Sequence, residues 1–82
     1  MVKVSFDKQF ERAVKKIKNL SIKEQIQKLI HKIKDNPQIG KPMMYGRKGT
    51  REVYAGSFRL SYAFNIQKDE IIILDFYHKD EQ

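Results

Sequence analysis

The sequence predicts a two-layer α+β domain in which an antiparallel pair of helices covers one face of a mainly antiparallel sheet. Between residues 7 and 35, apolar residues recur every three or four positions in two segments, which is typical of amphipathic helices. Alternating or continuous apolar runs at 2–6, 50–65 and 71–76 are typical of strands. The predicted order is βααβββ, in a single domain over residues 1–82.

The N-terminal segment predicts an edge strand followed by a helix. Val2 to Phe6 alternates apolar and polar residues, so one face of this short strand is apolar. Asp7 is a suitable N-cap, and the helix that it begins is expected to run to about Lys18. The apolar face of this helix consists of Phe10, Ala13, Val14 and Ile17.

A second helix is predicted to follow after a connection of about three residues. Ser21 and Glu24 have the spacing of a capping box, and the residue before Pro37 is excluded from the α region, so the helix should end near Asp35. The short connection makes the two helices antiparallel neighbours. The apolar stripe of the second helix consists of Ile22, Ile26, Leu29, Ile30 and Ile33.

Residues 36–50 are rich in Pro, Gly and Lys and are predicted to form a loop, with an extra short edge strand around Met43 to Tyr45 as an open alternative. Basic residues interleaved with an aromatic suit phosphate contact and base stacking. The alternative is an exposed loop kept soluble by its charges. The basic residues and the aromatic are Lys41, Arg47, Lys48, Arg51 and Tyr45.

The clearest strand pattern is a hairpin between Arg51 and Asn65. Gly56-Ser57 separates two alternating runs, and Gly accepts the positive φ of a tight hairpin turn. In the second run, one face is bulky and apolar and the other is small and polar, with Arg59 standing on it. The apolar face consists of Phe58, Leu60, Tyr62 and Phe64.

The last predicted strand contains the continuous apolar run Ile71 to Leu74. A short run rich in β-branched residues is typical of a central strand covered on both faces. By alternation His78 shares a face with Ile72, Leu74 and Phe76. We nevertheless expect its side chain to leave the core, because it lies past the edge of the sheet.

Composition limits the function classes. The 17 Lys and Arg residues exceed the 10 Asp and Glu residues and give a net charge of +7, which indicates a polyanionic partner or simply high solubility. Cysteine is absent, so no disulfide or thiolate metal site is expected, and His31 is interpreted as a surface residue. No apolar run approaches a membrane span of ~20 residues, and no signal peptide is recognised. We therefore expect a soluble, cytoplasmic protein with no membrane partner.

The candidate chemistry is narrow. The sequence contains no Gly-rich phosphate loop, paired carboxylates, metal-ligand set or nucleophilic triad that would support hydride transfer, acyl transfer or metal-assisted hydrolysis. Arg, Lys and His side chains can catalyse metal-free RNA cleavage, in which the substrate's own 2′-hydroxyl attacks the phosphorus. The candidate set is Arg47, Lys48, Arg51, Arg59, His78 and Lys79.

Two motifs resemble the RelE/ParE toxin superfamily of toxin–antitoxin pairs. The hairpin Gly56 to Tyr62 is similar to the family's Gly-x-aromatic-Arg-apolar-x-Tyr, and the ending Phe76 to Lys79 is similar to its aliphatic strand that finishes in His with a basic residue beside it. The resemblance covers nearly the whole chain. It implies a two-layer α+β fold in which the first strand pairs with the last.

The resemblance implies ribosome-dependent cleavage of mRNA without a metal or cofactor, with Arg59 as phosphate stabiliser and His78 as general base or acid. The implied partners are mRNA, the ribosome and a cognate antitoxin. We expect Arg59 and His78 to meet on the uncovered face of the sheet and bracket one phosphodiester. The implied RNA contacts are Lys41, Arg47, Lys48, Arg51 and Lys79, with Tyr45 and Tyr77 as stacking candidates.

Two alternative functions stay open. One is a ParE-like gyrase inhibitor, and the other is a non-catalytic member that binds RNA or antitoxin. Tyr54 stands where many relatives have Arg, and Met43 stands where histidine-type members often have Glu. His78 favours the nuclease, because gyrase poisons generally lack a terminal histidine of this kind.

Overall fold

The order of elements matches the predicted α+β pattern with one added strand. The computed structural model describes residues 2–42 and 49–81. The elements are β1 (Lys3–Phe6), α1 (Lys8–Lys15), α2 (Leu20–Asp35), β2 (Lys41–Pro42), β3 (Thr50–Ala55), β4 (Phe58–Asn65), β5 (Glu70–His78) and a 3-10 turn (Lys79–Glu81). Within these ranges, no helix has both the length and the apolar character that crossing a lipid bilayer requires.

In the described part of the chain, five strands form one sheet in the order β1-β5-β4-β3-β2. The first strand pairs in parallel with the last, so that Val4 lies opposite Ile71, and the other neighbours are antiparallel. The predicted pairing of first and last strands and the internal position of β5 are both confirmed. The predicted alternative of an extra edge strand is met by β2 at Lys41–Pro42, whereas Met43 to Tyr45 lie outside the described residues.

The helix caps agree only partly with the sequence prediction. Asp7 accepts the backbone N–H of Gln9, as expected for an N-cap, but α1 ends at Lys15 instead of Lys18. The cap of α2 is Asn19, whose Oδ1 accepts the backbone N–H of Ser21 at 2.8 Å. The predicted N-cap, Ser21, is therefore wrong by two positions. Asn19 directly precedes the first helical residue, Leu20, and its side chain satisfies free N–H groups of the first turn. The predicted end at Asp35 is confirmed.

Both helices pack on the same face of the sheet. Their apolar stripes meet the face of β4 that carries Leu60 and Tyr62, both fully buried. Burial of this apolar surface is the main favourable term for a chain of this length. The core residues are Phe10, Ile26, Leu29, Ile33, Leu60, Tyr62, Ile71, Ile73 and Phe76.

A β-bulge changes which side chains of β5 face the helices. Ser61 pairs with Asp75 while Tyr62 pairs with Ile73, so Leu74 is an extra residue on β5. Ile71 and Ile73 are therefore buried against the helices, and Ile72 and Leu74 turn to the other face, where they are only half-buried. The predicted cover over both faces of this run is thus incomplete on the outer face.

Candidate functional site

The face of the sheet that points away from the helices carries a cluster of polar and aromatic side chains near the β3–β4 turn. The turn brings Tyr54 opposite Arg59, and Arg59 lies opposite Tyr77 on β5. Glu52 is two residues before Tyr54 on β3, and Lys41 on β2 lies opposite Glu52, so alternation places all five on this face. We call Lys41, Glu52, Tyr54, Arg59 and Tyr77 the Arg59 cluster.

Arg59 is held in place by two neighbours on β3. Its Nη1 lies 3.3 Å from Oε1 of Glu52, and its guanidinium carbon lies 4.3 Å from the centre of the Tyr54 ring. Glu52 is 7% exposed, so the ion pair is largely shielded from solvent. The buried Nε of Arg59 has no hydrogen-bond partner among the described residues. The Glu52 carboxylate partly offsets the Arg59 charge, so what the pair offers an incoming anion is a guanidinium held in a fixed direction.

Tyr77 connects to the same carboxylate from β5. Its hydroxyl donates a hydrogen bond to Oε2 of Glu52, so Glu52 joins a cation and a hydroxyl on one face. Sequence reasoning did not single out Glu52. The two-residue turn at Gly56-Ser57 carries the signal, since it fixes the register that puts Glu52 on the face of Arg59.

Lys41 reaches the cluster from the other flank. Its Nζ lies 5.7 Å from the centre of the Tyr54 ring, and its side chain is exposed. The structure therefore places Lys41 and Arg59, both expected to contact RNA, on the same face and around the same aromatic ring.

Arg51 does not join this face. It pairs with Tyr62, so its side chain lies on the helix side of the sheet. Its Nη1 donates to the carbonyl oxygens of Gly40 at 2.8 Å and Gln38 at 3.2 Å. The phosphate contact expected of Arg51 is therefore not supported, because its guanidinium instead holds the connection between α2 and β2.

His78 is separated from Arg59 by the sheet. His78 pairs with Phe58, and the two rings meet edge to face with centres 5.3 Å apart. Phe58 packs on the buried Phe76, so this is the helix face. The expectation that Arg59 and His78 share the uncovered face is wrong. The ladder continues one residue further, with the Lys79 N–H bonded to the Ser57 carbonyl at 2.8 Å, so His78 stays in the strand and keeps its register.

A cleft lies beside His78 on the helix side. About a third (34%) of the His78 side chain is exposed there, and its Nδ1 is 3.4 Å from a carboxylate oxygen of Asp80. Arg12 and Lys16 of α1 also line this cleft, which has a volume of about 440 Å³. Cations and an imidazole are thus present on this side as well, but without the Arg59 guanidinium.

The other predicted site residues are placed as follows. Lys79 is exposed at the start of the 3-10 turn that follows β5. Tyr45, Arg47 and Lys48 lie outside the described residues. In residues 2–42 and 49–81, no group of three His, Asp or Glu side chains could hold a metal ion.

Comparison with protein families gives one match that spans the chain. The model described as "ParE toxin of type II toxin-antitoxin system, parDE" matches residues 3–82. A search of curated proteins finds no match.

Solved structures with the same fold include several toxin–antitoxin complexes. The chain is similar to the toxin of the RelBE2 complex from Mycobacterium tuberculosis, with a TM-score of 0.80, 23% identity and coverage of 95% of this chain and 93% of that one. It is also similar to the intact RelBE complex from E. coli, with a TM-score of 0.81, 18% identity and coverage of 95% and 96%. A RelB–RelE complex from Methanococcus jannaschii is similar as well, with a TM-score of 0.70, 20% identity and coverage of 93% of this chain and 91% of that one. At these identities the likeness establishes the fold.

Proposed function

Since the chain belongs to the ParE toxin family of type II toxin–antitoxin systems, within the RelE/ParE superfamily, we propose that it is an endoribonuclease that cleaves mRNA on the ribosome. A toxin of this class has a cognate antitoxin as its partner. The observation that carries the nuclease proposal is the network on the open face, in which Glu52 binds both Arg59 and Tyr77.

The network supplies the groups that RNA cleavage needs. The substrate's 2′-hydroxyl attacks the phosphorus, the bond to the 5′-oxygen breaks, and one proton passes from the first oxygen to the second. Arg59 would stabilise the charge that builds up on the phosphate oxygens. The Tyr77 hydroxyl would pass its own proton to the Glu52 carboxylate as it takes the proton from the 2′-oxygen. The reverse transfer, from Glu52 to Tyr77 and from Tyr77 to the 5′-oxygen, would protonate the leaving group.

In this proposal Glu52 also restricts the Arg59 side chain before the substrate binds. An arginine side chain has many rotamers, and fixing one costs free energy when substrate binds. The contacts of Arg59 with Glu52 and Tyr54 already restrict it in the unbound protein. A phosphate therefore meets a guanidinium whose direction is set before binding.

His78 has no direct step in the proposed reaction. The role that the resemblance assigns to it, general base or acid, passes to Tyr77 because the two side chains lie on opposite faces and Arg59 is on the face of Tyr77. This assignment makes the proposal specific enough to test by substitution.

The test is induced expression in a bacterium, with mRNA 5′ ends mapped and protein synthesis followed. We expect Arg59→Ala to reduce cleavage on the order of 10²–10³-fold and Tyr77→Phe on the order of 10²–10⁴-fold, and both variants to restore growth. His78→Ala is expected to stay toxic. Arg12→Ala, which removes an exposed arginine from α1, is the matched control and should also stay toxic.

Circular dichroism and thermal unfolding of each purified variant separate lost chemistry from lost folding. Arg59→Ala removes one partner of the buried Glu52 carboxylate, so Arg59→Ala combined with Glu52→Gln is included to remove the charge that Arg59 balanced. Undiminished cleavage by folded Tyr77→Phe would overturn the proposed reaction, as would loss of cleavage in His78→Ala alone.

Gyrase inhibition is the second candidate function, and one observation favours it. His78 was the residue that favoured the nuclease over a ParE-type poison, which catalyses nothing itself, and its side chain lies on the opposite face of the sheet from Arg59. This candidate predicts DNA breaks and altered plasmid supercoiling after induction, with mRNA left intact. Intact DNA together with new mRNA 5′ ends would exclude it.

A further inference from the structure

Tyr54 is an exposed aromatic side chain on the open face of the sheet. It lies on β3 directly opposite Arg59, and 46% of its surface is accessible. A large ring that stays accessible on a sheet next to the proposed reaction centre is available to a ligand.

Two cations approach this ring from the strands on either side of β3. Arg59 on β4 has its guanidinium carbon 4.3 Å from the ring centre, and Lys41 on β2 has its Nζ 5.7 Å from it. Arg59 is restrained by Glu52, whereas Lys41 is an exposed, unbranched side chain. Lys41 can therefore leave the ring and follow a phosphate at little cost, while Arg59 stays in place.

We infer that Tyr54 is the residue on which a base of single-stranded RNA stacks, with Lys41 and Arg59 contacting the phosphates on either side of that base. An aromatic ring between cations matches a nucleotide, which presents a flat π-face next to an anionic backbone. The inference rests on the proposed function, because it names the side chain that positions the RNA strand of the same site.

A tryptophan reporter tests the stacking directly, because the chain contains no tryptophan. Tyr54→Trp is mixed with a single-stranded RNA oligonucleotide whose 2′-hydroxyls are methylated, so that it cannot be cleaved. We expect saturable quenching of the tryptophan fluorescence as the base stacks. Ile66→Trp, in the turn after β4 and 69% exposed, is the control and should keep its fluorescence.

Affinity measurements distinguish the contribution of the aromatic ring of Tyr54 from that of its apolar bulk. Fluorescence anisotropy with a labelled copy of the same oligonucleotide should give unchanged affinity for Tyr54→Phe, which keeps the ring. Tyr54→Leu keeps apolar bulk without a π-face and should bind about tenfold more weakly. Circular dichroism confirms that each variant is folded.

The outcomes distinguish this inference from the proposed function. Cleavage by the wild type together with equal RNA affinity of Tyr54→Leu and Tyr54→Phe overturns the stacking role and leaves the nuclease proposal standing. Quenching without any cleavage supports stacking and overturns the nuclease proposal. If Tyr54→Leu weakens the antitoxin complex but leaves RNA affinity unchanged, the ring belongs to a protein interface and the inference is wrong.

Discussion

Tyr62 packs in the core with its ring and holds the chain between α2 and β2 with its hydroxyl. It is fully buried in the core, yet its hydroxyl donates to the Pro37 carbonyl at 2.8 Å and accepts the Gly40 N–H at 2.9 Å. Gly40 has to be glycine for this contact, because a Cβ there would lie 2.8 Å from the Tyr62 oxygen. Together with Arg51, Tyr62 therefore fixes the connection that leads into β2, the strand that carries Lys41 of the Arg59 cluster.

Tyr62→Phe should lower the free energy of unfolding on the order of 1–3 kcal/mol, since it leaves buried partners unsatisfied. Burial raises the pKa of the Tyr62 phenol, and the smaller effects of the Gly40 hydrogen bond and the Arg51 charge lower it. The raised pKa means that the unfolded chain loses this proton first as the pH rises above about 10. The advantage of the wild type over the variant is therefore complete below pH 10 and declines above it. Urea unfolding at pH 7, 9 and 11 measures it, and an advantage that stays constant to pH 11 would contradict the assignment.

Among the elements, α2 begins with a cap that local sequence rules do not single out. Asn19 and Ser21 are both good N-cap residues, and the capping-box spacing of Ser21 with Glu24 favoured the wrong one. Asn19 is the N-cap because its side chain accepts hydrogen bonds from two backbone N–H groups, those of Ser21 at 2.8 Å and Ile22 at 3.4 Å.

Asn19→Ala is expected to destabilise the protein by about 1 kcal/mol, while Ser21→Ala should change its stability by only a few tenths. Both positions are exposed, so neither change disturbs the core. Urea denaturation at pH 7 compares the two variants with the wild type. A larger loss for Ser21→Ala than for Asn19→Ala would show that the helix begins at Ser21 in solution.

The strands show how far sequence reasoning reaches at this scale. A two-residue turn and strict alternation were enough to predict both faces of β4, including Arg59 on the open one. The same register, extended to β3, would have put Arg51 on the helix face and Glu52 beside Arg59. Alternation from Phe76 gives His78 the helix face that it has, but the expectation that its side chain leaves the core was wrong, because the ladder extends to Lys79. Neither that extension nor the bulge at Leu74, which moves Ile72 and Leu74 to the other face, has a local sequence signal.

At the scale of the whole molecule, charge and topology act together. The net charge of +7 is spread over the helices as well as the sheet, so charge alone does not locate a binding face. The topology selects one: the helices cover the apolar side, and the opposite side gathers Lys41 and Arg59 around Tyr54. Surface cations elsewhere can contribute to long-range attraction of RNA without contacting it.

If the cations of the open face contact RNA and those on the helices do not, the two groups should affect the salt dependence of RNA affinity differently. If Lys41 contacts a phosphate of single-stranded RNA, Lys41→Gln should reduce the slope of log affinity against log salt concentration by about 0.7. Lys28→Gln, which removes an exposed lysine from α2, keeps the same net charge as Lys41→Gln and should leave the slope unchanged. Anisotropy titrations with the methylated oligonucleotide between about 50 and 200 mM salt measure both. Equal slopes for the two variants would mean that the +7 charge attracts RNA only as a diffuse field and that the open face holds no phosphate at Lys41.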